Sequence, residues 1–400
     1  MRRGTWLVAG ALALGIAAPA QAAPVDLGVG SDPAVVMDPA GTAHIVYDAA
    51  GGETYCRLPR NAKACDVLMP LPVEFHDGRV KIFRRAADGA LLIVQAAGAD
   101  IEGAAHGVTW LRTSVDGGAT WQGPLPIGTG LARLDDLTLA NDGGSVFTVS
   151  EDTDSLFFQA DPVTGSEARM LDLNAKPDGS HAGSASRAEI VQTPQGTVVA
   201  AIDTITDTLW RVFGGGDLYN QAAWQPFPAR KLRGEGDPDL ASGPRGTYLM
   251  NSRSIAFQRR DLAAPFVIRS LDAKRSRWRA PKRLAEDRAV TGSGDLAQDA
   301  RGRLHTAWSS SEEGVSCVVY ARTGTRSSSW FGRSTTLFRT RSGDHAPEDV
   351  TLAAGADGRG VAVWGEPGPE VNAGHVWAVA LKQRGGRYHR VRDPYDRPDC

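Results

Sequence analysis

The sequence has almost no charge bias, with 44 Lys and Arg against 46 Asp and Glu and a net charge of −2. That balance offers no electrostatic basis for binding nucleic acid or an anionic membrane. Cysteine is scarce, with four in 400 residues, which excludes a disulfide-dense miniature scaffold. The four thiols do not fall into paired metal-ligand knuckles, so no structural metal is expected. Long apolar runs are missing too: the longest, near the N-terminus, falls short of the roughly 20 residues that cross a bilayer. Helix-period apolar stripes are absent after it, so no phosphate-binding glycine loop has a helix to open. Neither a G-x-S-x-G elbow nor an H-E-x-x-H pair occurs. With 42% apolar residues, however, the chain can bury a sizeable core, and disorder is excluded.

Export is written at the start. Arg2 and Arg3 precede a short apolar segment over 6–18, and Ala20-Gln21-Ala22 supplies a small-x-small cleavage pattern. Residues 1–22 are therefore expected to be a signal peptide and 23–400 a secreted mature domain. An even number of cysteines then implies two bridges. Cys56 and Cys65 flank a polar turn between two strand-like runs, and their pairing is the simplest one. Cys317 and Cys400 would form the second, fastening the C-terminal tail to the body.

The mature chain repeats itself. Asp38, Gly41, His44 and Tyr47 recur at the same offsets as Asp299, Gly302, His305 and Trp308. Weaker copies centre on Gly89, Gly144, Gly196, Gly246 and Gly358, with intervals between successive marker glycines of 48, 55, 52, 50, 56 and 56 residues. Strand-like runs flank each glycine, and Trp121, Trp224, Trp278 and Trp330 follow late in four units, with Tyr388 in that place in the last. Such a period is that of one four-stranded propeller blade. The expectation is an all-β, single-domain β-propeller of seven four-stranded blades, or six if one weak copy is spurious.

Ser114, Asp116, Gly118, Thr120 and Trp121 match the Asp-box, S-x-D-x-G-x-x-T/W, and Ser270, Asp272 and Trp278 give a degenerate copy. On these residues the chain resembles the sialidase-like (BNR, or Asp-box repeat) propeller superfamily. The resemblance implies that the Asp-box is a structural turn remote from any active site. True sialidases use three arginines, a Tyr/Glu pair and an acidic acid/base; their F/Y-R-I-P text departs here to Cys56-Arg57-Leu58-Pro59, late in the first unit. No catalytic role passes to Arg57, and the catalytic residues are left unknown.

Among other candidates, His44 and His305 share a repeat position held elsewhere by Leu92, Phe147, Val199, Leu249 and Val361, a pattern of packing rather than metal binding. Arginine and lysine clusters near 230–233, 259–260 and 274–279 read as solvated outer faces. The start of each unit's first strand differs. Nine residues before the marker glycine stand Asp32, Val80, Asp135, Arg187, Asp237, Ser293 and Asp349, and two residues further on stand Glu189, Asp239 and Asp295. First strands line a propeller's channel, so Asp32, Asp135, Arg187, Glu189, Asp237, Asp239, Asp295 and Asp349 are the expected ligand-binding residues at one channel rim. The alternative is that each Asp braces the local backbone. The expected function is recognition of an extracellular glycan or protein by a monomer. The alternative is an exo-acting glycoside hydrolase of the exo-α-sialidase type, and a purely structural scaffold is a third. No cofactor is expected beyond a cation at the rim.

Overall fold

The computed structural model describes residues 23–381, except 72–77, 98–106, 131–133, 153–154, 165–168, 176–184, 195, 204–207, 214–216, 227–234, 254–265, 273–276, 279–281, 284–293, 313–314, 325–326, 332–334, 341–346 and 369–373. The signal segment, Tyr388 and Cys400 therefore lie outside the described residues.

Alternation of buried and exposed side chains, with Val, Ile and aromatics at the buried sites, makes these segments strands rather than helices. The outer strand of the first unit, Val67–Leu71, alternates in this way, with Leu68 and Pro70 exposed, and the third strand, Gly52–Leu58, lies deeper, burying Glu53, Tyr55, Cys56 and Leu58. Its neighbours are Ser31–Met37, Ala43–Ala49 and Val67–Leu71, which complete a four-stranded antiparallel meander. The described strands form seven such sheets in chain order, two of them with a fifth short strand. We number them blades 1 to 7. Each marker glycine lies at the turn between the first two strands of a different sheet. The innermost strands are Ser31–Met37, Gly78–Arg84, Leu134–Leu139, Ala185–Thr193, Glu235–Gly243, Gly294–Gln298 and Glu348–Ala354. Each lies against the next, and the last returns to the first, so the ring closes. Closure removes the sheet edges that an open array would expose.

The last blade is completed from the other end of the chain. Its outer strand is Val25–Val29, paired antiparallel with His375–Leu381. The expected C-terminal outer strand around Tyr388 is thus replaced by an N-terminal one. Pairing the first strand with the last unit holds the ring shut by a full hydrogen-bonded ladder.

Hydrophobic clusters fill the gaps between neighbouring blades. One joins Ala34, Val46 and Tyr55 of blade 1 to Val80, Ile82 and Ile93 of blade 2; another joins Phe147 and Phe158 of blade 3 to Ile190 and Val199 of blade 4. Burying each such side chain contributes ~1.5–3 kcal/mol, so the seams between sheets are where most of the driving force lies.

Two glycines show why the motif residues are there. Gly118 of the Asp-box has φ +85°, and a Cβ on it would lie 1.8 Å from Tyr55 Oη of blade 1. Gly358 has φ +78°, and its Cβ would collide with the Arg303 guanidinium reaching over from blade 6. Only glycine permits both the backbone and the approach. The Asp-box itself is a closed turn: Ser114 Oγ donates to Asp116, and Thr120 donates to it through both N–H (2.9 Å) and hydroxyl (2.6 Å). These bonds hold the Asp116 carboxyl down at about 2, the Thr120 hydroxyl contributing most. Trp121 then packs edge-on against Tyr55, with ring centroids 5.0 Å apart.

Cys56 and Cys65 are bridged, as expected, across a separation of nine residues. Cys317 is fully buried, and its expected partner Cys400 lies outside the described residues. The bridge sits between Tyr55 and Arg57. Arg57 is held by Asp66 through two bonds of 2.8 and 3.0 Å and donates to Gly117 O of the next blade. The blade 1 hairpin thus grips the Asp-box of blade 2.

Candidate functional site

The innermost strands run side by side in the same sense. Ile190 N donates to Asp136 partway along two neighbouring strands, and Asn141 Nδ2 reaches Thr193 O near their ends. Their starts therefore gather at one mouth of the channel, and the marker turns and the Asp-box at the other.

At the first mouth the backbone departs from regular pairing. The ladder skips residues 32–33, 135, 187–188, 236–237 and 349–350, in blades 1, 3, 4, 5 and 7. Asp32, Asp135, Arg187, Asp237 and Asp349, all expected from the repeat offset, are the bulged residues themselves. A bulge turns a side chain out of the alternation and re-aims it. Asp32 and Asp349 show this most directly: both are exposed and adopt the left-handed region, with φ of 46° and 49°. Asparagine and aspartate tolerate this region better than other side-chain-bearing residues, which accounts for aspartate at an otherwise unfavourable strand position. Blade 2 pairs without a bulge here. The residues of blades 2 and 6 at this offset also differ: Val80 is buried in the blade 1–blade 2 core, and Ser293 lies outside the described residues.

One layer deeper, polar side chains converge from five consecutive blades. Lys81 of blade 2 forms an ion pair with Asp136 of blade 3. Asp136 is fully buried, and its other oxygen accepts the Ile190 N–H of blade 4 at 2.8 Å. Asp295 of blade 6 has the same role at a later seam, accepting from Leu352 N and Thr351 Oγ1 of blade 7 and from its own neighbour Leu296 N. Glu189 of blade 4 and Asp239 of blade 5 lie between these two braces, near enough for their charges to be felt.

Asp239 breaks the pattern. By analogy with Asp136 and Asp295 it would accept the backbone N–H of Leu296 in blade 6, but that N–H is already taken by Asp295 Oδ1. Asp239 Oδ2 is left buried with no hydrogen-bond partner. Burial first, then the charges of Asp295 and Glu189, push its carboxyl well above the ordinary range, against a smaller opposing pull from Lys81. Asp295 is raised too, by burial, with its backbone hydrogen bonds opposing. Two neighbouring carboxyls that resist ionising together favour one proton between them.

Of the residues expected at the rim, Glu189, Asp239 and Asp295 are therefore brought together in the channel; Asp32 and Asp349 are exposed at bulges on its edge, and the backbone of Asp135, Arg187 and Asp237 is bulged at the same level. Asp295 is also a brace, so the bracing alternative holds for it. Sequence reasoning missed Lys81 and Asp136, which stand one residue off the repeat offset. Among the described residues no group of three or more His, Cys, Asp or Glu side chains is arranged to hold a metal.

The histidines are structural. His44 Nδ1 bonds Tyr55 Oη at 2.7 Å, and His305 lies between Asp299 (3.2 Å) and Tyr320 Oη (2.8 Å). Burial lowers both imidazoles, with the neighbouring aspartate pulling the other way. Arg57 lies at the Asp-box end of blade 1, beside Gly117, and so at the mouth opposite the acidic layer.

No family model and no curated protein matches the chain. Solved structures do. A Dos1 propeller aligns over 90% of this chain and 94% of its own, with a TM-score of 0.50 at 10% identity. The fold is a β-propeller. An α-L-arabinanase from Penicillium chrysogenum covers 91% of this chain and 98% of its own, with TM-score 0.48 and 13% identity. A Trypanosoma rangeli sialidase covers 90% of this chain but 59% of its own longer chain, with TM-score 0.49 and 11% identity. Likenesses at this level concern the fold, and function has to be argued from the propeller's own residues.

Proposed function

We propose that this propeller is an exported monomer that recognises a glycan, or a segment of another protein, at the mouth of its channel where the innermost strands begin. The observation that carries the reading is the convergence of Lys81, Asp136, Glu189, Asp239 and Asp295 beneath a rim of bulged Asp and Arg positions. Bracing accounts for Asp136 and Asp295 but not for Asp239, whose buried oxygen has no partner. A propeller channel filled only for stability would take apolar or small side chains, since a buried polar atom without a partner costs ~1–3 kcal/mol. Export is supported by residues 1–22 and by the Cys56–Cys65 bridge, which persists in oxidising compartments. Among the described residues no helix is long and apolar enough to cross a membrane.

A second reading, exo-acting glycoside hydrolysis, is favoured by one observation. Asp239 and Asp295 are neighbouring carboxyls that both resist ionisation, by burial first, and a carboxyl pair is what acid and base or nucleophile roles require. Both readings are tested on the mature chain. A panel of immobilised neutral, amino and acidic glycans is screened with the wild type and with Asp239→Asn. Binding by the wild type that the variant loses supports recognition; no binding, or binding indifferent to the substitution, refutes it. Release of aryl leaving groups from a glycoside panel, abolished in the same variant, would decide for the hydrolase.

A further inference from the structure

Resting on that reading of the channel, we infer that the site selects a ligand bearing a primary ammonium group, such as a deacetylated amino sugar, and rejects carboxylate-bearing sugars. The channel already displays the interaction. Lys81 lays an ammonium from blade 2 onto Asp136, in the same layer as Glu189, Asp239 and Asp295. Asp136 is satisfied by Lys81 and Ile190 N, and Asp295 by blade 7. What is unsatisfied is Asp239 Oδ2, buried in the layer and aimed at no donor of the chain. A second ammonium would supply the donor that Asp239 lacks, together with a positive charge beside its carboxyl. A carboxylate brought to the same place would face the carboxyls of Asp295 and Glu189, and like charges at short range disfavour it. This is the reverse of the arginine clamp that a sialic acid would need.

Binding of an ammonium has its own signature. Asp239 resists ionisation in the free protein because burial and neighbouring carboxyls oppose it. An ammonium seated on it favours the carboxylate, so binding must release a proton. Isothermal titration at pH 7 in two buffers of different ionisation enthalpy reads both affinity and proton release. The probes are glucosamine, N-acetylglucosamine, N-acetylneuraminic acid and Nα-acetyl-lysine amide. Glucosamine should bind at least about tenfold more tightly than N-acetylglucosamine, the equivalent of one pKa unit, with proton release. N-acetylneuraminic acid should not compete. Binding of Nα-acetyl-lysine amide in preference to glucosamine would support the ammonium and assign its source to a protein. Asp239→Asn, which keeps the shape, should abolish the proton release; Lys81→Gln, which removes the built-in ammonium, should tighten glucosamine. Equal binding of glucosamine and N-acetylglucosamine without proton release overturns the inference, as does tighter binding of N-acetylneuraminic acid or no binding of either amine. If the glycan panel meanwhile finds a neutral or acidic ligand lost in Asp239→Asn, the channel reading stands and the ammonium alone falls. If nothing binds, both fall.

Discussion

Glu53 should make the protein less stable at alkaline than at mildly acidic pH, and Glu53→Gln should remove that loss. The residue lies on the third strand of blade 1, two positions before Tyr55, on the face turned toward blade 2. It is 1% exposed, and neither carboxylate oxygen has a hydrogen-bond partner. Burial, reinforced by Asp48 and only partly offset by Arg112, pushes its carboxyl from 4.5 up to about 8. The sign follows directly. The folded chain binds this proton more tightly than the unfolded chain, so its contribution is present in full below the unfolded value and is lost as pH rises toward the folded one. At pH 5 little has been lost. At pH 8 a rise of that size corresponds to a loss of ~4 kcal/mol relative to the neutral form, as an upper figure. Glutamine has the same length and no charge. Urea unfolding of wild type and Glu53→Gln at pH 5 and pH 8 isolates this group from the channel carboxyls and from Asp161 of blade 3, which burial pushes up to about 6, since both proteins share them. The stability difference between the two should grow in favour of glutamine by ~2–4 kcal/mol between those pH values. A difference that stays constant with pH, or a glutamine variant that is the weaker of the two at pH 8, refutes a neutral buried Glu53.

Three further outcomes are expected. Asp116→Ala removes the acceptor for Ser114 and Thr120 in the Asp-box turn and should cost ~1–2 kcal/mol in urea unfolding, without altering ligand binding at the opposite mouth. Replacing Gly118 by Ala should cost more than Asp116→Ala, because it adds a positive-φ penalty to a collision with Tyr55, and pairing it with Tyr55→Phe, which removes the colliding hydroxyl, should recover some of the loss. Cys56→Ala with Cys65→Ala opens a short loop, which should cost ~2–3 kcal/mol and lower the melting temperature below that of the oxidised wild type, a gap that should close when reductant opens the same bridge in the wild type.

The repeat period made the architecture legible because a propeller blade is a local object. Its turns and core positions are written within some fifty residues, and each marker glycine and late tryptophan falls in or beside its own sheet. The N-terminal closing strand was not legible. Val25–Val29 pairs across almost the whole chain with His375–Leu381, and nothing local distinguishes a strand with a distant partner from one that continues its own blade. The rim aspartates were found by their offset, and the bulges explain why that offset works. The deeper layer was only half legible. Lys81 and Asp136 escaped because they stand eight residues before their marker glycines, whereas Glu189, Asp239 and Asp295 stand seven before theirs. A one-residue difference in register exchanges the two faces of a strand.

Competition for backbone donors separates bracing from binding. A first strand must give its neighbour something to hold, and Asp136 and Asp295 do this by accepting a backbone N–H from the next blade. Around the ring such braces cannot all be made by acidic residues at equal depth, because adjacent carboxyls then compete for the same donors and repel each other. Between Asp136 and Asp295 that conflict is visible: Asp295 has captured the N–H of Leu296, and Asp239, one blade earlier, is left with an oxygen that the fold does not satisfy. Blade 5 could have resolved the conflict with a smaller or apolar residue, as blade 1 does with Ala34. If the acid were merely tolerated, Asp239→Ala should be neutral or stabilising in urea unfolding, with ligand binding intact. If it is retained for a ligand, the same substitution should raise stability by ~1–3 kcal/mol through loss of an unsatisfied buried group while binding disappears. Stability gained and binding lost in one variant is the outcome that a brace could not produce, since removing a brace would cost stability.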